Sequence, residues 1–165
     1  MVKYFSEENM STNKIKSEGV NIKSHRLSKK EIEDNFSDLH APLTQIEALI
    51  EADRCYFCYD APCTKACPSD IDVPGFIQSI RSDNLTGAAE KILSENIFGG
   101  MCARDCPTEE LCQQACVRND HEDKPVEIGL LQRYATDSVL DNGVKLFSRK
   151  KDTGKSIAVV GAGPA

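Results

Sequence analysis

The stretch "RCYFCYDAPCTKACPSD", residues 54–70, decides how the chain is interpreted, because it holds four of the eight cysteines. Their spacing is C-x2-C-x4-C-x3-C, and Pro68 follows the last one. The four positions are Cys55, Cys58, Cys63 and Cys67. A second group, with the spacing C-x3-C-x5-C-x3-C, comprises Cys102, Cys106, Cys112 and Cys116. Thiols clustered in this way indicate a disulfide framework, a redox dithiol or a metal site.

The composition indicates a soluble protein, with 165 residues, 28% charged side chains and 40% hydrophobic ones. The net charge of −6 leaves no basic surplus for phosphate groups, so we expect no nucleic-acid partner. The opening residues, "MVKYFSEENMSTNKIKSEG", lack the apolar segment of a signal peptide, and no apolar run is long enough for a membrane span. We therefore expect a cytoplasmic protein without a membrane partner, in which thiols stay reduced.

Three uses of reduced cysteines remain open at this point. Structural zinc takes four thiolates, usually from two C-x2–4-C pairs, and the chain has enough cysteines for two such sites. A redox dithiol needs one C-x-x-C beside a βαβ pattern, and Cys55 and Cys58 have the spacing without that context. Two-cluster ferredoxins contain C-x2-C-x2-C-x3-C-P, whose fourth cysteine ligates the other cluster. The spacing favours two [4Fe–4S] clusters, with Cys67 crossing to the second and Cys116 crossing back to the first.

Residues 27–145 carry helix signals and are interpreted as one helical domain. Ser28 with Glu31, and Thr44 with Glu47, have the spacing of capping boxes at two helix starts. The side of the second helix that is predicted to face the core consists of Ile46, Leu49 and Ile50.

Further helices are predicted after each cysteine group. In "DVPGFIQSIRSDN" Pro74 lies in the first turn, and the predicted inward residues are Phe76, Ile77 and Ile80. In "LTGAAEKILSEN" Thr86 is the predicted N-cap. A short helix from near Thr108 is expected to carry Cys112 and Cys116, and a longer helix in "VEIGLLQRYATDSVLDNG" is expected to end at Gly143.

The two ends of the chain have a different character. Residues 1–26 are polar without a helical or strand period and are predicted to be a flexible arm. Residues 146–155 form a charged linker before an apolar run, residues 156–160, that reads as a strand. Gly161 and Gly163 follow it as the first glycines of a dinucleotide-binding fingerprint, so residues 156–165 are predicted to begin a truncated FAD-binding domain. A strand without a sheet to join is expected to leave its backbone groups unpaired.

The segments "CYFCYDAPCTKACPSDIDVPGFIQSI", "GAAEKIL", "CARDCPTEELCQQAC" and "IGLLQRYATD" resemble the N-terminal iron–sulfur domain of dihydropyrimidine dehydrogenase. The likeness covers about residues 27–165 and is greatest to the flavin- and NADH-using subunit of the bacterial two-subunit enzyme. The small subunit of glutamate synthase has a similar but more distant domain.

The resemblance implies an all-α, α-helical ferredoxin-like fold that holds two [4Fe–4S] clusters and leads into an FAD domain. It further implies electron transfer from NADH through FAD and the clusters to a partner subunit or domain, where FMN reduces uracil or thymine. A hetero-oligomer is therefore expected. The rival interpretations are a glutamate synthase-like oxidoreductase and a non-catalytic interaction module held together by zinc.

Eight cysteines are enough to ligate two [4Fe–4S] clusters, so the cysteine count alone assigns Cys102 to the second cluster. The resemblance instead implies a glutamine ligand there, and this glutamine corresponds to Gln132. The first cluster would then be held by Cys55, Cys58, Cys63 and Cys116, and the second by Cys67, Cys106, Cys112 and Gln132. Gln132 also lies on the predicted apolar stripe of the last helix, formed by Ile128, Leu131, Ala135 and Val139. A polar amide on such a stripe requires a partner, which can be a cluster or the backbone.

Overall fold

The computed structural model describes residues 27–122, 124–158 and 160–161, and within these ranges all regular structure is helical. The predicted arm, residues 1–26, lies outside the described residues. The chain divides into two units, Met1–Leu39 and His40–Ala165. In the first unit, α1 (Lys29–Asn35) begins with the predicted capping box, in which Glu31 N donates to Ser28 Oγ and Ser28 N donates to Glu31 Oε2.

The second unit contains the remaining helices. They are α2 (Gln45–Asp53), α3 (Pro62–Lys65), α4 (Val73–Arg81), α5 (Leu85–Glu95), α6 (Gly99–Asp105), α7 (Asn119–Glu122) and α8 (Ile128–Asp141), with a 3₁₀ turn at Thr108–Glu110. α8 packs against α4, α5 and α6, and α4 also packs against α2. The helical fold expected from the sequence is therefore confirmed.

The core lies where α4, α5 and α8 meet. Phe76, Ile77 and Ile80 of α4 are fully buried, as the spacing predicts, together with Ile92 of α5 and Leu131 of α8. Burying each of these side chains contributes about 1.5–3 kcal/mol. This core fixes α8 against the segments that carry the cysteines.

The inward face of α2 was predicted wrongly. The capping box at Thr44 and Glu47 is present, but Ile46 is 71% exposed and Ile50 is 62% exposed. The buried positions are Ala48, Glu51 and Ala52. The small alanine side chains let the helix approach the core closely. Glu51 faces inward because it pairs with the guanidinium of Arg54. The size and the pairing of side chains therefore outweigh their hydrophobicity on this helix.

Two other local predictions were wrong, and one helix end is confirmed. α5 is capped by Asn84 instead of Thr86, because the Asn84 side chain accepts a hydrogen bond from Gly87 N at 2.9 Å. Beyond the 3₁₀ turn, residues 111–115 form turns instead of a helix. α8 ends at Asp141, and Gly143 follows the C-cap Asn142 at the predicted C′ position: its φ is +61°, Val144 N donates to Val139 O and Gly143 N donates to Leu140 O.

The described part of the predicted strand does not form one. Residues 156–158 and 160 have no strand or helix assignment, and Ile157 and Val160 are 85% and 99% exposed. No strand in the described ranges is available to pair with this stretch, and a single strand leaves its backbone groups unpaired. The FAD-binding start at residues 156–165 remains a prediction.

Among the helices of the described residues, none has the length and apolar character that crossing a bilayer requires.

Candidate metal centre

The first cavity gathers thiols from both cysteine groups. Its empty volume is about 380 Å³. Its wall contains the thiols of Cys55, Cys58, Cys63 and Cys116. Much of the remaining wall consists of apolar side chains of α4 and of the segment entering α8: Val73, Pro74, Ile77, Val126 and Ile128. The cavity therefore contains the four cysteines that were predicted to ligate the first cluster.

A second cavity, with an empty volume of about 520 Å³, lies beside α6 and α8. Its polar and thiol lining includes Cys67, Cys102, Cys106, Cys112 and Gln132. Cys67 therefore lines the cavity of the second cysteine group and not that of its sequence neighbours, whereas Cys116 lines the cavity of the first group. All eight predicted ligands line one of these two cavities, and Cys102 lines the second as well.

Backbone geometry folds the first cysteine group around its cavity. Phe57 and Ala61 have φ of 51° and 38°, in the left-handed region that non-glycine residues rarely adopt. Each such residue costs of order 1–3 kcal/mol, which packing elsewhere must offset. The turn also directs Phe57 N toward the Cys55 sulfur at 3.4 Å, and hydrogen bonds to sulfur adjust the potential of iron–sulfur centres. Two of the four non-glycine residues with positive φ in the described part of the chain therefore lie within the first cysteine group.

Long-range polar contacts join the start of the Cys55 loop to the chain after Cys116. Arg54 donates to Glu51 Oε1 at 2.5 Å, to Lys124 O at 2.8 Å and to Pro125 O at 3.0 Å. Glu51 Oε1 also accepts from Glu127 N at 2.9 Å. Hydrogen bonds that involve a charged group are about twice as strong as neutral ones, so these contacts help to hold the returning chain beside the Cys55 loop.

Gln132 lies on the buried stripe of α8, as predicted, and is 8% exposed. Its amide Nε2 donates to Gly99 O at 2.7 Å, which identifies the nitrogen because a carbonyl can only accept. The other amide atom, Oε1, is an oxygen, which is the kind of atom that can bind a metal. A backbone partner and a place on the cavity wall are therefore both present, and the ligand role of Gln132 stays a prediction.

Cys102 has a different polar neighbour. Asn96 Nδ2 donates to the Cys102 sulfur at 3.1 Å and to Ser69 Oγ at 3.2 Å. Sequence analysis missed Asn96 because it precedes α6 with no recognisable spacing to the cysteines. Its amide joins Ser69, next to the first cysteine group, to the second group.

Burial raises the pKa values of several thiols. The pKa of Cys63 is raised to about 11 and that of Cys112 to about 12, mainly by desolvation and then by neighbouring thiols. The pKa values of Cys55 and Cys106 are raised for the same reasons. Thiolates at this density repel one another, so a cationic centre that replaces their protons would relieve the repulsion. The donor sets therefore fit iron–sulfur centres.

A single metal ion is a poorer match to the arrangement. In residues 27–122, 124–158 and 160–161, no three side chains among His, Cys, Asp and Glu converge closely enough to hold one ion. The thiols surround cavities instead, and this arrangement suits a centre in which each thiolate binds a different iron atom.

The predicted FAD-binding glycines have little structural context. Gly161 has φ of +103°, a conformation that favours glycine, and it is exposed. Gly163 lies outside the described residues. The FAD-binding role of both glycines stays a prediction.

The helical fold and the two thiol-lined cavities define a helical iron–sulfur domain. The family model described as dihydropyrimidine dehydrogenase domain II, 4Fe-4S cluster, matches residues 32–144. The chain belongs to this family.

Individual relatives agree with the family model. The NAD-dependent dihydropyrimidine dehydrogenase subunit PreT of Escherichia coli strain K12 is 44% identical over 134 residues, which are 81% of this chain and 32% of PreT. PreT of Salmonella typhimurium strain LT2 is 43% identical over the same shares of the two chains. The putative oxidoreductase UacF of Escherichia coli strain K12 is 33% identical over 142 residues, 85% of this chain and 22% of UacF. The chain thus spans about a third or less of these relatives.

Proposed function

We propose that this chain is the electron-transfer part of an NADH-dependent dihydropyrimidine dehydrogenase and holds two [4Fe–4S] clusters. Electrons would pass between FAD in the longer protein and a partner subunit or domain whose FMN site reduces uracil or thymine to the 5,6-dihydropyrimidine. Membership of the family and the likeness to PreT support this proposal. The complex would be a cytoplasmic hetero-oligomer, and the chain would have no catalytic residue and no activity by itself.

The observation that carries the proposal is the exchange of cysteines between the two cavities. Cys67 lies with the second group and Cys116 with the first. A crossed arrangement ties both centres into one core, and it matches the two-cluster ferredoxin pattern in which one cysteine of each run serves the other cluster. Two separate zinc knuckles would each use ligands close together in sequence.

The chain's own residues supply ligands, orientation and exclusion of water. The clusters, when bound, would supply one-electron transfer. The predicted ligands of the first are Cys55, Cys58, Cys63 and Cys116, and those of the second are Cys67, Cys106, Cys112 and Gln132. The apolar wall of the first cavity limits access of water, which favours the less charged oxidation state and thereby influences the potential.

An activity comparison on the longer protein tests the proposal. The full-length chain, purified anaerobically with its partner subunit, is assayed for NADH-linked reduction of uracil and for NADPH-linked formation of glutamate. We expect uracil reduction only. Glutamate formation would assign the chain to the glutamate synthase type instead, and absence of both activities in an iron-loaded complex would contradict the proposed substrate class.

A further inference from the structure

We propose that Arg118 is a positioning residue for the first cluster site, holding the segment that carries Cys116 against the loop that carries Cys55. The inference rests on the proposed function, because it concerns how the fourth ligand of that cluster is brought into place. Arg118 lies two residues after Cys116 and itself lines the first cavity.

Arg118 contacts both sequence neighbours of Cys55. Its Nε donates to the carbonyl oxygen of Arg54, the residue before Cys55. Its guanidinium carbon lies 4.1 Å from the ring centre of Tyr56, the residue after Cys55. One side chain therefore joins the Cys116 segment to both neighbours of Cys55.

The guanidinium is itself held in a fixed orientation. Its NH1 group pairs with Glu122 Oε1, and Glu122 Oε2 also accepts from Arg54 NH2 at 3.2 Å. The Arg118 side chain is only 14% exposed. A planar group with donors in a fixed fork can stack on a ring and reach a carbonyl and a carboxylate together, which a lysine ammonium cannot do.

Local hydrogen bonds set the shape of the Cys116 segment. Cys116 N donates to Gln113 O at 3.1 Å, and Asn119 N donates to Cys116 O at 3.0 Å. The Asn119 side chain also donates to Gln113 O at 2.8 Å. These bonds set the shape of the segment, whereas Arg118 sets its position relative to Cys55.

Arg81 provides a control, because it contacts the same loop from another element. Its guanidinium carbon lies 5.6 Å from the ring centre of Phe57, the next residue after Tyr56, and its Nε contacts Asp53 at 2.8 Å. Arg81 belongs to α4, so its cation–ring contact supports the loop without involving the Cys116 segment. Replacing Arg81 therefore tests the loss of an arginine that contacts this loop, while the contacts between Arg118 and the loop remain.

The experiment compares Arg118→Ala and Arg81→Ala with the unmodified full-length protein, purified anaerobically. Iron, acid-labile sulfide and the electron paramagnetic resonance signal of each reduced cluster are measured. Arg118→Ala is expected to lose about half of the iron and one cluster signal, because only one of two cubanes is affected. Arg81→Ala is expected to keep both. Retention of the second cluster's signal also shows that the variant is folded. If Arg118 had only a general structural role, its replacement would affect both clusters.

Three results would overturn the inference: Arg118→Ala with both clusters, Arg118→Ala with neither, or equal loss in Arg81→Ala. If Arg118→Ala does not accumulate, Arg118→Lys is challenged with an iron chelator. The first cluster is then expected to be lost several-fold faster than the second, and equal rates would overturn the inference. An unmodified protein without iron would instead contradict the proposed function.

Discussion

Replacing Gln132 with alanine distinguishes the two candidates for the last ligand of the second cluster. Gln132 and Cys102 both line that cavity, together with Cys67, Cys106 and Cys112. If Gln132 is the ligand, Gln132→Ala opens one iron site of one cluster, whereas Cys102→Ala leaves both clusters intact. The first cluster, which shares no ligand with the second, should be unaffected in either variant.

The structural cost of Gln132→Ala can be separated from its effect on the cluster. The substitution removes the hydrogen bond that Gln132 Nε2 donates to Gly99 O at 2.7 Å, which should cost about 1 kcal/mol. The removed side chain is 8% exposed, so some packing is lost as well. Cys102→Ala removes a hydrogen bond from Asn96 at 3.1 Å and should cost about 1 kcal/mol. Both costs are smaller than the stability of a typical domain.

The assay combines iron determination, spectroscopy of each cluster and urea unfolding of the metal-free form. Gln132→Ala should lower iron content or give a three-iron signal for one cluster, with a modest loss of unfolding free energy. Cys102→Ala should keep the normal iron content and both signals. The reverse pattern would refute the assignment of Gln132 and would mean that cysteine completes both clusters in this chain.

Other predictions concern the crossed ligand, the buried thiols and the Arg54 contacts. Cys116→Ser should impair the cluster held by Cys55, Cys58 and Cys63; spectroscopy showing loss of the other cluster instead would contradict the exchange. In the metal-free protein, burial raises the pKa of Cys112 from 9.0 to about 12. Between these values the unfolded chain loses the thiol proton while the folded protein keeps it, so the free energy of unfolding falls as the pH rises from 9 toward 12. Urea unfolding from pH 8 upward should show this decline, and a Cys112→Ala variant with an equally steep decline would argue against it. Arg54→Met should lower the free energy of unfolding by about 2–3 kcal/mol, because Glu51 is left charged and partly buried; a thermal melt unchanged from that of the unmodified protein would contradict this.

Much of the helical framework could be predicted from local sequence. The capping boxes at Ser28 and Thr44, the inward face of α4 and the end of α8 before Gly143 depend on residues close together in the chain. The buried position of Gln132 followed from helical periodicity alone. These features depend on local hydrogen bonds and hydrophobic spacing, which the sequence displays directly.

The N-cap of α5 was a local error, since Asn84 lies only two residues before the predicted Thr86, whereas the errors on α2 and Arg118 concern tertiary contacts. Ile46 and Ile50 were expected inside α2, but the face with Ala48 and Ala52 packs inward. That choice depends on how closely α2 approaches α4, and spacing does not encode this distance. Arg118 was missed because its partners, Arg54 and Tyr56, lie far away in sequence. Its position shortly after a cysteine was the only available signal.

The metal content of the anaerobically purified protein tests the central claim most directly. Two [4Fe–4S] clusters predict brown protein with about eight iron and about eight acid-labile sulfide per chain. Colourless protein with about two zinc and no sulfide per chain would contradict the claim and assign the cysteines to structural zinc sites.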